Sequence, residues 1–205
     1  MNRNRIIRTE SLRDLSRYGI TKAAAAIGVF DGVHRGHQKV LATLQEIAER
    51  TNSTPVVITF HPHPRSVLAP DAAPPLLYPQ EEKLRLLRQY GAEAAVVIPF
   101  TREFAALSPD QFLDQSLHSG TVKLTGVCVG RAWRFGAKAA GSHADLERRA
   151  KLDRFVFSPV DEVRFGDGVV SSTEIRKAVA GGDLAAAAEM LGRSYTLFGK
   201  VEHGL

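Results

Sequence analysis

Two histidines within a glycine-rich segment are the residues of this chain best suited to phosphate chemistry. Residues 28–37 read Gly-Val-Phe-Asp-Gly-Val-His-Arg-Gly-His, so that His34 and His37 lie three positions apart where an amphipathic helix begins. Glycines such as Gly28 and Gly36 let backbone amides approach a ligand, and the free N–H groups of a helix N-terminus attract anions. Both imidazoles face the same way and can donate hydrogen bonds to phosphoryl oxygens. The segment predicts a phosphate site in preference to a plain helix cap.

A second segment combines hydroxyl groups with an arginine at the start of another helix. Residues 170–176 read Val-Ser-Ser-Thr-Glu-Ile-Arg. Hydroxyl side chains are common helix caps, and arginine offers a planar fork of donors that suits phosphate. Taken alone, this pattern indicates an ordinary cap with a solvated arginine. Beside the first segment, it predicts a second anion site made by Ser171, Ser172, Thr173 and Arg176.

The glycine spacing of residues 28–37 excludes the two commonest nucleotide loops. The Rossmann fingerprint requires Gly-x-Gly-x-x-Gly, and the Walker loop ends in Gly-Lys-Ser/Thr; neither occurs in this segment. The His-x-Gly-His sequence instead resembles the nucleotidylyltransferase superfamily, in which two such histidines contact the phosphates of ATP or CTP. In that superfamily a Ser-Ser-Thr-x-Ile-Arg segment closes over the triphosphate from the other side.

Two further stretches narrow the resemblance to one family. Residues 58–64 read Ile-Thr-Phe-His-Pro-His-Pro, and residues 129–136 read Val-Gly-Arg-Ala-Trp-Arg-Phe-Gly. They resemble the Thr-Phe-x-Pro-His-Pro turn and the Val-Gly-x-x-Phe-x-Phe-Gly loop of the FMN adenylyltransferase (FAD synthetase) module of bacterial bifunctional riboflavin kinase/FAD synthetases. The likeness extends over about residues 6–204, and several short motifs in the same order are more specific than any one of them.

The resemblance implies adenylyl transfer from ATP to FMN, giving FAD and pyrophosphate, with Mg²⁺ accompanying ATP. It implies that the reacting phosphates are contacted by His34, His37 and Arg176. It implies that ATP is bound by Gly28, Phe30, Asp31, Gly36, Ser171, Ser172 and Thr173. It implies that the flavin is bordered by Pro62, His63, Pro64, Trp133 and Phe135. For the last two rings, packing in the core beneath their loop is an equally open interpretation.

Two departures from the family pattern leave alternatives open. Ala132 stands where the family loop carries Asn or Asp, which points to slower transfer, a different acceptor, or a catalytically weak nucleotide- or flavin-binding regulator. The stretch 195–205 resembles the first strand of a riboflavin kinase module. We therefore predict a nucleotidylyltransferase domain over residues 1–192, a short kinase-like remnant over 193–205, no riboflavin kinase activity, and a separate kinase as a possible partner.

Composition restricts the class of protein. A chain of 205 residues with 44% hydrophobic content can bury one sizeable core. The lone Cys128 lies in an apolar stretch, which predicts a packed thiol and suits a reducing cytoplasm. No apolar run reaches about 18 residues, so neither secretion nor membrane insertion is expected.

The basic charge and the histidine content each suggest a rival function. The net charge is +5, but the arginines are scattered, so we predict small anionic substrates and no nucleic acid. Together with the first pair of histidines, His61 and His63 suggest a zinc site, yet no acidic cluster accompanies them. We expect no metal held by the protein itself, and Mg²⁺ held mainly by substrate phosphates.

The elements that must position these residues alternate between strand and helix. Apolar runs predict strands at 23–30, 55–60, 94–98, 124–129 and 154–160. Helical periodicity predicts helices at 36–50, 79–89, 108–118, after Ser-Ser-Thr, and at 183–191. This order predicts an α/β Rossmann-like fold, a parallel sheet with helices on both faces. Ligands bind at the carboxyl ends of such strands, where the long connections 61–78 and 130–141 also lie.

Overall fold

A computed structural model describes residues 6–199. The strands are β1 (Ile7–Thr9), β2 (Lys22–Ile27), β3 (Thr54–His61), β4 (Ala94–Pro99), β5 (Lys123–Gly130), β6 (Val156–Val160), β7 (Arg164–Phe165) and β8 (Gly168–Val169). The α-helices are α1 (Arg35–Thr51), α2 (Pro64–Leu68), α3 (Gln80–Gln89), α4 (Arg102–Ala105), α5 (Pro109–Leu117), α6 (His143–Asp153), α7 (Ser172–Ala180) and α8 (Leu184–Leu191). Short 3₁₀ helices span Leu12–Tyr18, Pro70–Ala72 and Ala137–Ala139.

Six parallel strands form the central sheet, in the order β1-β4-β3-β2-β5-β6. The chain runs from β2 towards one edge of the sheet and later returns to add β5 and β6 on the other side. This reversal opens a crevice at the carboxyl ends of β2 and β5, which is where ligands bind in doubly wound sheets. The predicted α/β fold with a parallel sheet is confirmed.

Helices cover both faces of the sheet and enclose two cores. Side chains of β2 alternate between them, with Ala24 and Ala26 in the first core and Ala25 in the second. Helices α1, α3, α7 and α8 complete the first core, and α4, α5 and α6 the second. Helix α1 can approach the sheet closely because Gly126 of β5 has no side chain. A Cβ at this position would lie only 2.4 Å from Ile47 Cγ2. This packing fixes the helix whose N-terminus carries the two histidines.

Most predicted elements lie within a few residues of their observed bounds, but the first long strand is shorter than predicted. It ends at Ile27, not at residue 30, because Phe30, Gly32 and Val33 have φ of 55°, 82° and 41° and turn the chain out of the sheet. The short edge strand β1, the β7–β8 hairpin and helices α2, α4 and α6 were not among the predicted elements.

Two predictions on individual features can be examined directly. Cys128 is fully buried, its thiol donates to Val40 O at 3.6 Å, and burial raises its pKa to about 12. The prediction of a packed thiol is therefore confirmed. Within residues 6–199, no helix combines the length and the apolar character that crossing a membrane requires.

Candidate functional site

The connection from β2 to α1, residues 28–34, is here called the histidine loop. It contains two buried hydrophobic residues in the left-handed region of φ, Phe30 and Val33, on either side of Gly32. A β-branched residue at φ of 41° is strained, and such strain persists only where the surroundings hold it. A Cβ at Gly28 would lie 3.1 Å from the Phe30 ring, so a larger residue there would push against this ring. The loop is therefore a tightly packed structure with one defined path.

The histidine pair is fixed by its own contacts. His34 caps α1, and its Nδ1 accepts a hydrogen bond from His37 N at 3.4 Å. An accepting Nδ1 carries no proton, so the neutral ring carries its proton on Nε2. The two rings stack with centroids 3.7 Å apart, and the Phe30 ring lies 5.1 Å from that of His37. A Cβ at Gly36 would lie 3.1 Å from the His34 ring, which explains this second glycine.

Both imidazoles are neutral at neutral pH. Burial lowers the pKa of His34 to about 4, with a further contribution from the positive charge of Arg193. Burial also holds the pKa of His37 well below 6.5, as do the neighbouring His34 and Lys83. Among residues 6–199, the buried Nδ1 of His37 has no hydrogen-bond partner. The pair offers N–H donors that gain strength as negative charge develops on a bound phosphate.

We expect the free energy of unfolding to fall as the pH drops from about 6.5 to about 4. An imidazole in the unfolded chain takes up its proton near pH 6.5, whereas His34 in the folded protein does so only near pH 4. This difference removes about 3 kcal/mol of stability by pH 4 and almost none above about pH 7.5. Urea unfolding at a series of pH values measures it. His34→Gln should flatten the curve, and an unchanged slope in that variant would contradict the assignment.

The start of α7 lies directly against the histidine loop. Ser172 Oγ donates to Asp31 O at 2.8 Å, across 141 positions of sequence. Arg176 forms an ion pair with the Asp31 carboxylate, and its Nε donates to Pro75 O at 2.7 Å. Ser171 caps the helix by accepting from Glu174 N, while Thr173 is exposed. The structure thus brings the two predicted anion-binding segments together at one rim of the sheet.

Asp31 connects three segments of the chain. Its carboxylate is buried and accepts from Leu77 N at 3.1 Å in addition to pairing with Arg176. Its backbone carbonyl accepts from Ser172. The sequence resemblance implies that Asp31 contacts the nucleotide and Arg176 the phosphates. In the structure these two side chains bind each other, so a direct contact of either with ATP stays a prediction.

Lys83 of α3 is a site residue that the sequence analysis missed. Its buried ammonium group donates to Val29 O at 3.3 Å, to Thr59 Oγ1 at 3.2 Å and to Phe60 O at 3.4 Å. Burial lowers its pKa to about 8, against the opposing effect of Asp31. A signal was present in the sequence, because Lys83 lies four positions before the buried Leu87 on the same helix face.

The predicted flavin wall begins at the end of β3. His63 is half-buried and caps α2, with its Nδ1 accepting from Arg65 N at 3.1 Å. The pKa of His63 is lowered, mainly by burial. The Asp31 carboxylate acts in the opposite direction, and the cations Arg176 and Lys83 lower the pKa further. His63, Tyr78 and Lys83 are among the residues that line a small cavity between the turn and the histidine loop. Pro62 and Pro64 flank His63 in the sequence. The residues predicted to border the flavin therefore lie beside the histidine loop.

The aromatic residues of the 130–141 connection have different environments. Phe135 is buried, with its ring 5.2 Å from that of Phe112 and stacked on Trp133 at 4.9 Å. This arrangement agrees with core packing, the alternative left open for this ring, and the flavin contact of Phe135 stays a prediction. Trp133 is only partly buried, and its flavin contact stays a prediction. His61 is exposed. Within residues 6–199, no three His, Cys, Asp or Glu side chains are grouped to hold a metal.

A comparison with known families identifies the family to which this chain belongs. A family model described as FAD synthetase matches residues 19–174, well over half of the chain. The chain belongs to the FAD synthetase family. The family predicted from the four sequence motifs is thus confirmed, and the matched range includes the histidine loop, the β3 turn, the loop after β5 and the start of α7.

Curated relatives agree with this membership. The bifunctional riboflavin kinase/FMN adenylyltransferase of Bacillus subtilis (strain 168) is 38% identical over 188 residues, covering 89% of this chain and 57% of the relative. The protein of the same name from Escherichia coli (strain K12) is 34% identical, covering 94% and 61%. This chain therefore spans about three fifths of the length of these relatives.

A solved structure supports the fold. The crystal structure of a macrolide-efflux protein from Streptococcus pneumoniae has a TM-score of 0.77 and 24% identity, covering 93% of this chain and 62% of the other. At this level of identity the likeness is evidence for the fold alone. It matches the parallel sheet and flanking helices described above.

Ala132, which stands where the resemblance predicts Asn or Asp, is accessible. Ala132 is exposed in the turn that follows β5, where Trp133 N donates to Gly130 O at 2.9 Å. Strand β5 is the neighbour of β2 in the sheet, so this turn borders the same crevice as the histidine loop. A methyl group there offers neither a donor nor an acceptor.

Proposed function

We propose that this chain transfers the adenylyl group of ATP to FMN, forming FAD and pyrophosphate. The observation that carries the proposal is the contact between the histidine loop and the start of α7, through Ser172 and Asp31. This contact places two helix N-termini and two imidazoles side by side at the carboxyl rim of the sheet, an arrangement suited to a triphosphate. Membership of the FAD synthetase family supports this assignment.

The proposed reaction is a direct displacement at phosphorus. An oxygen of the FMN phosphate attacks the α-phosphorus of ATP, a new P–O bond forms, and the bond from the α-phosphorus to the bridging oxygen of pyrophosphate breaks. No group on the protein is covalently modified. Catalysis consists of aligning two anions and stabilising the charge that develops on the oxygens of the transferred phosphoryl group.

The histidine pair supplies this stabilisation in our proposal. His34 and His37 are neutral N–H donors held by stacking and by the cap of α1. Donors that are fixed before the substrate arrives need no reorganisation during the reaction. Ser171, Thr173 and the amides at the start of α7 would bind the outgoing pyrophosphate, and Ser172 holds the loop. Lys83, behind the loop, adds positive potential that favours anionic substrates.

We propose that Mg²⁺ enters as part of the MgATP substrate. The carboxylate of Asp31, in the histidine loop, is already engaged by Arg176 and by Leu77 N. Such a carboxylate is poorly placed to serve as a metal ligand, and Mg²⁺ commonly keeps phosphate and water ligands. The ion would neutralise charge on the phosphates, and the protein would orient the groups around it.

The turn after β3 supports FMN as the acceptor of the adenylyl group. Pro62, His63 and Pro64 form a stiff edge beside the phosphate rim, which suits a flat isoalloxazine ring. FMN itself must come from a reaction that phosphorylates riboflavin. A separate riboflavin kinase as partner, a cytoplasmic location and the boundary at residue 192 stay predictions.

The assignment is tested by incubating the chain with ATP, Mg²⁺ and FMN and following FAD by chromatography. We expect FAD and pyrophosphate in equal amounts, and no FAD when riboflavin replaces FMN. ATP binding measured by calorimetry in the same preparation provides the control. Tight ATP binding without any FAD would refute FMN as the acceptor.

Ala132→Asn is expected to raise the turnover of FAD formation several-fold. The new amide would provide a donor and an acceptor at the crevice between β2 and β5, where the reacting phosphates are proposed to lie. Steady-state kinetics with both substrates varied measures the effect. Ala140→Asn, an exposed change in the same connection, is the matched control. Equal rates for both variants would show that the side chain at 132 does not act on the reaction.

A further inference from the structure

We propose that Arg193 is a positioning residue for adenylyl transfer, holding the histidine loop in its reactive path through the carbonyl oxygens of Gly32 and Val33. This inference rests on the proposed function. Nη1 of Arg193 donates to Val33 O at 3.0 Å, and Nη2 donates to Gly32 O. A residue 160 positions away in sequence thus binds the loop immediately before His34.

The loop needs such a donor at this place. Gly32 and Val33 have positive φ, so their carbonyl oxygens leave the regular pattern of the sheet before the helix pattern begins. Buried carbonyl groups require hydrogen-bond donors. Gln38 supplies one, with Nε2 2.9 Å from Val33 O. The planar guanidinium of Arg193 donates the remaining hydrogen bonds. Among the described residues, it is the only group that donates to the carbonyl oxygens of both Gly32 and Val33.

The guanidinium is itself held in place. Arg193 follows Gly192, which ends α8 with φ of 69° and lies so close to Gln38 that a Cβ would be 3.2 Å from its Oε1. Nη1 also donates to Leu191 O at 3.1 Å, and the Arg193 Cζ lies 5.2 Å from the centre of the Tyr78 ring. These contacts at the end of α8 therefore hold the Arg193 side chain in a position facing the histidine loop.

Arg193 also affects the electrostatics of the reactive pair. Its charge is the second cause, after burial, of the low pKa of His34. The charge and the hydrogen-bond geometry can be separated experimentally, because lysine retains the charge but cannot donate to two carbonyl groups in a fixed fork. Arg193→Lys and Arg193→Met therefore report on different parts of the proposal.

The experiment compares both variants with the wild-type chain in FAD formation and in ¹⁵N-detected histidine spectra. We expect kcat to fall about 10- to 100-fold in each variant, while KM for ATP changes less than about threefold, because a displaced loop misaligns the donors. The pKa of His34 should move up towards 6.5 in Arg193→Met and less so in Arg193→Lys. Arg148→Met, on the exposed face of α6, is the control for loss of an arginine.

Two results would overturn the proposal. A wild-type kcat in Arg193→Lys would mean that charge alone suffices. An unchanged kcat with KM for ATP raised tenfold or more would make Arg193 a ligand of ATP, not a positioning residue. If the wild-type chain makes no FAD, the proposed function fails, but the histidine spectra still show whether Arg193 lowers the pKa of His34. If Arg193→Met does not fold, Arg193→Lys carries both measurements.

Discussion

His37→Ala is expected to lower kcat for FAD formation by about 100- to 1,000-fold. The substitution removes one of two fixed N–H donors proposed to act on the transferred phosphoryl group, and the loss of one such donor commonly costs two to three orders of magnitude. It also removes the ring that stacks on His34 at 3.7 Å, so the remaining imidazole loses its orientation. Single-turnover formation of FAD from bound ATP and FMN measures the chemical step separately from product release.

The controls for this variant separate chemistry from folding. His118→Ala removes an exposed imidazole at the end of α5 and should leave the rate unchanged. His37→Gln keeps an N–H donor of similar reach and should recover part of the lost rate. Circular dichroism and ATP calorimetry establish that each variant folds and binds nucleotide. Folded, ATP-binding His37→Ala that retains a third or more of the wild-type kcat would refute a role of this imidazole in catalysis.

The regular elements follow from local physics and are predictable from sequence. Helix α1 could be predicted because Val40, Leu41 and Leu44 recur at helical spacing, and these residues are buried against the sheet. Strand β2 could be predicted from its run of small apolar residues, because a central parallel strand is buried on both faces. Its end could not be placed, since the left-handed residues Phe30 and Val33 are stabilised by contacts from elsewhere in the chain.

Site residues could be predicted where they belong to a local sequence pattern. The histidine pair and the start of α7 carry local patterns, so their residues could be selected without a structure. Their partners lack such a motif, and the helical spacing of Lys83 with Leu87 indicates only that this side chain faces the core. Lys83 lies in a charged helix and Arg193 after a helix end, positions at which cations are usually solvated. Only the tertiary structure shows that both cations donate to carbonyl groups of the histidine loop.

The contact between Asp31 and Arg176 is also visible only in the tertiary structure. Breaking this pair is expected to destabilise the protein strongly. The two side chains are 6% and 15% exposed, so removal of either one leaves the other charge buried without its partner. Loss of one member of a buried pair typically costs about 3 to 5 kcal/mol. We expect a decrease of this size in the free energy of unfolding for Asp31→Asn and for Arg176→Met, measured by urea denaturation near pH 7.

The double variant separates the pair from the general loss of packing. If the two side chains act on each other, Asp31→Asn combined with Arg176→Met should cost clearly less than the two single losses added together. The exposed pair of Asp110 and Arg148 is the matched control, for which each change should cost about 1 kcal/mol or less. Strict additivity at Asp31 and Arg176 would contradict a coupled pair.

The same two variants test what the pair does for the substrate. Asp31→Asn leaves Arg176 in place but releases its guanidinium from a competing carboxylate, whereas Arg176→Met removes the donor. If Arg176 turns to the phosphates when ATP arrives, ATP should bind Asp31→Asn at least as tightly as the wild type, and Arg176→Met about tenfold or more weakly. Equal weakening in both variants would mean that the pair serves only to join the histidine loop to α7. Calorimetry with ATP and Mg²⁺, at a temperature where both variants are folded, distinguishes these results.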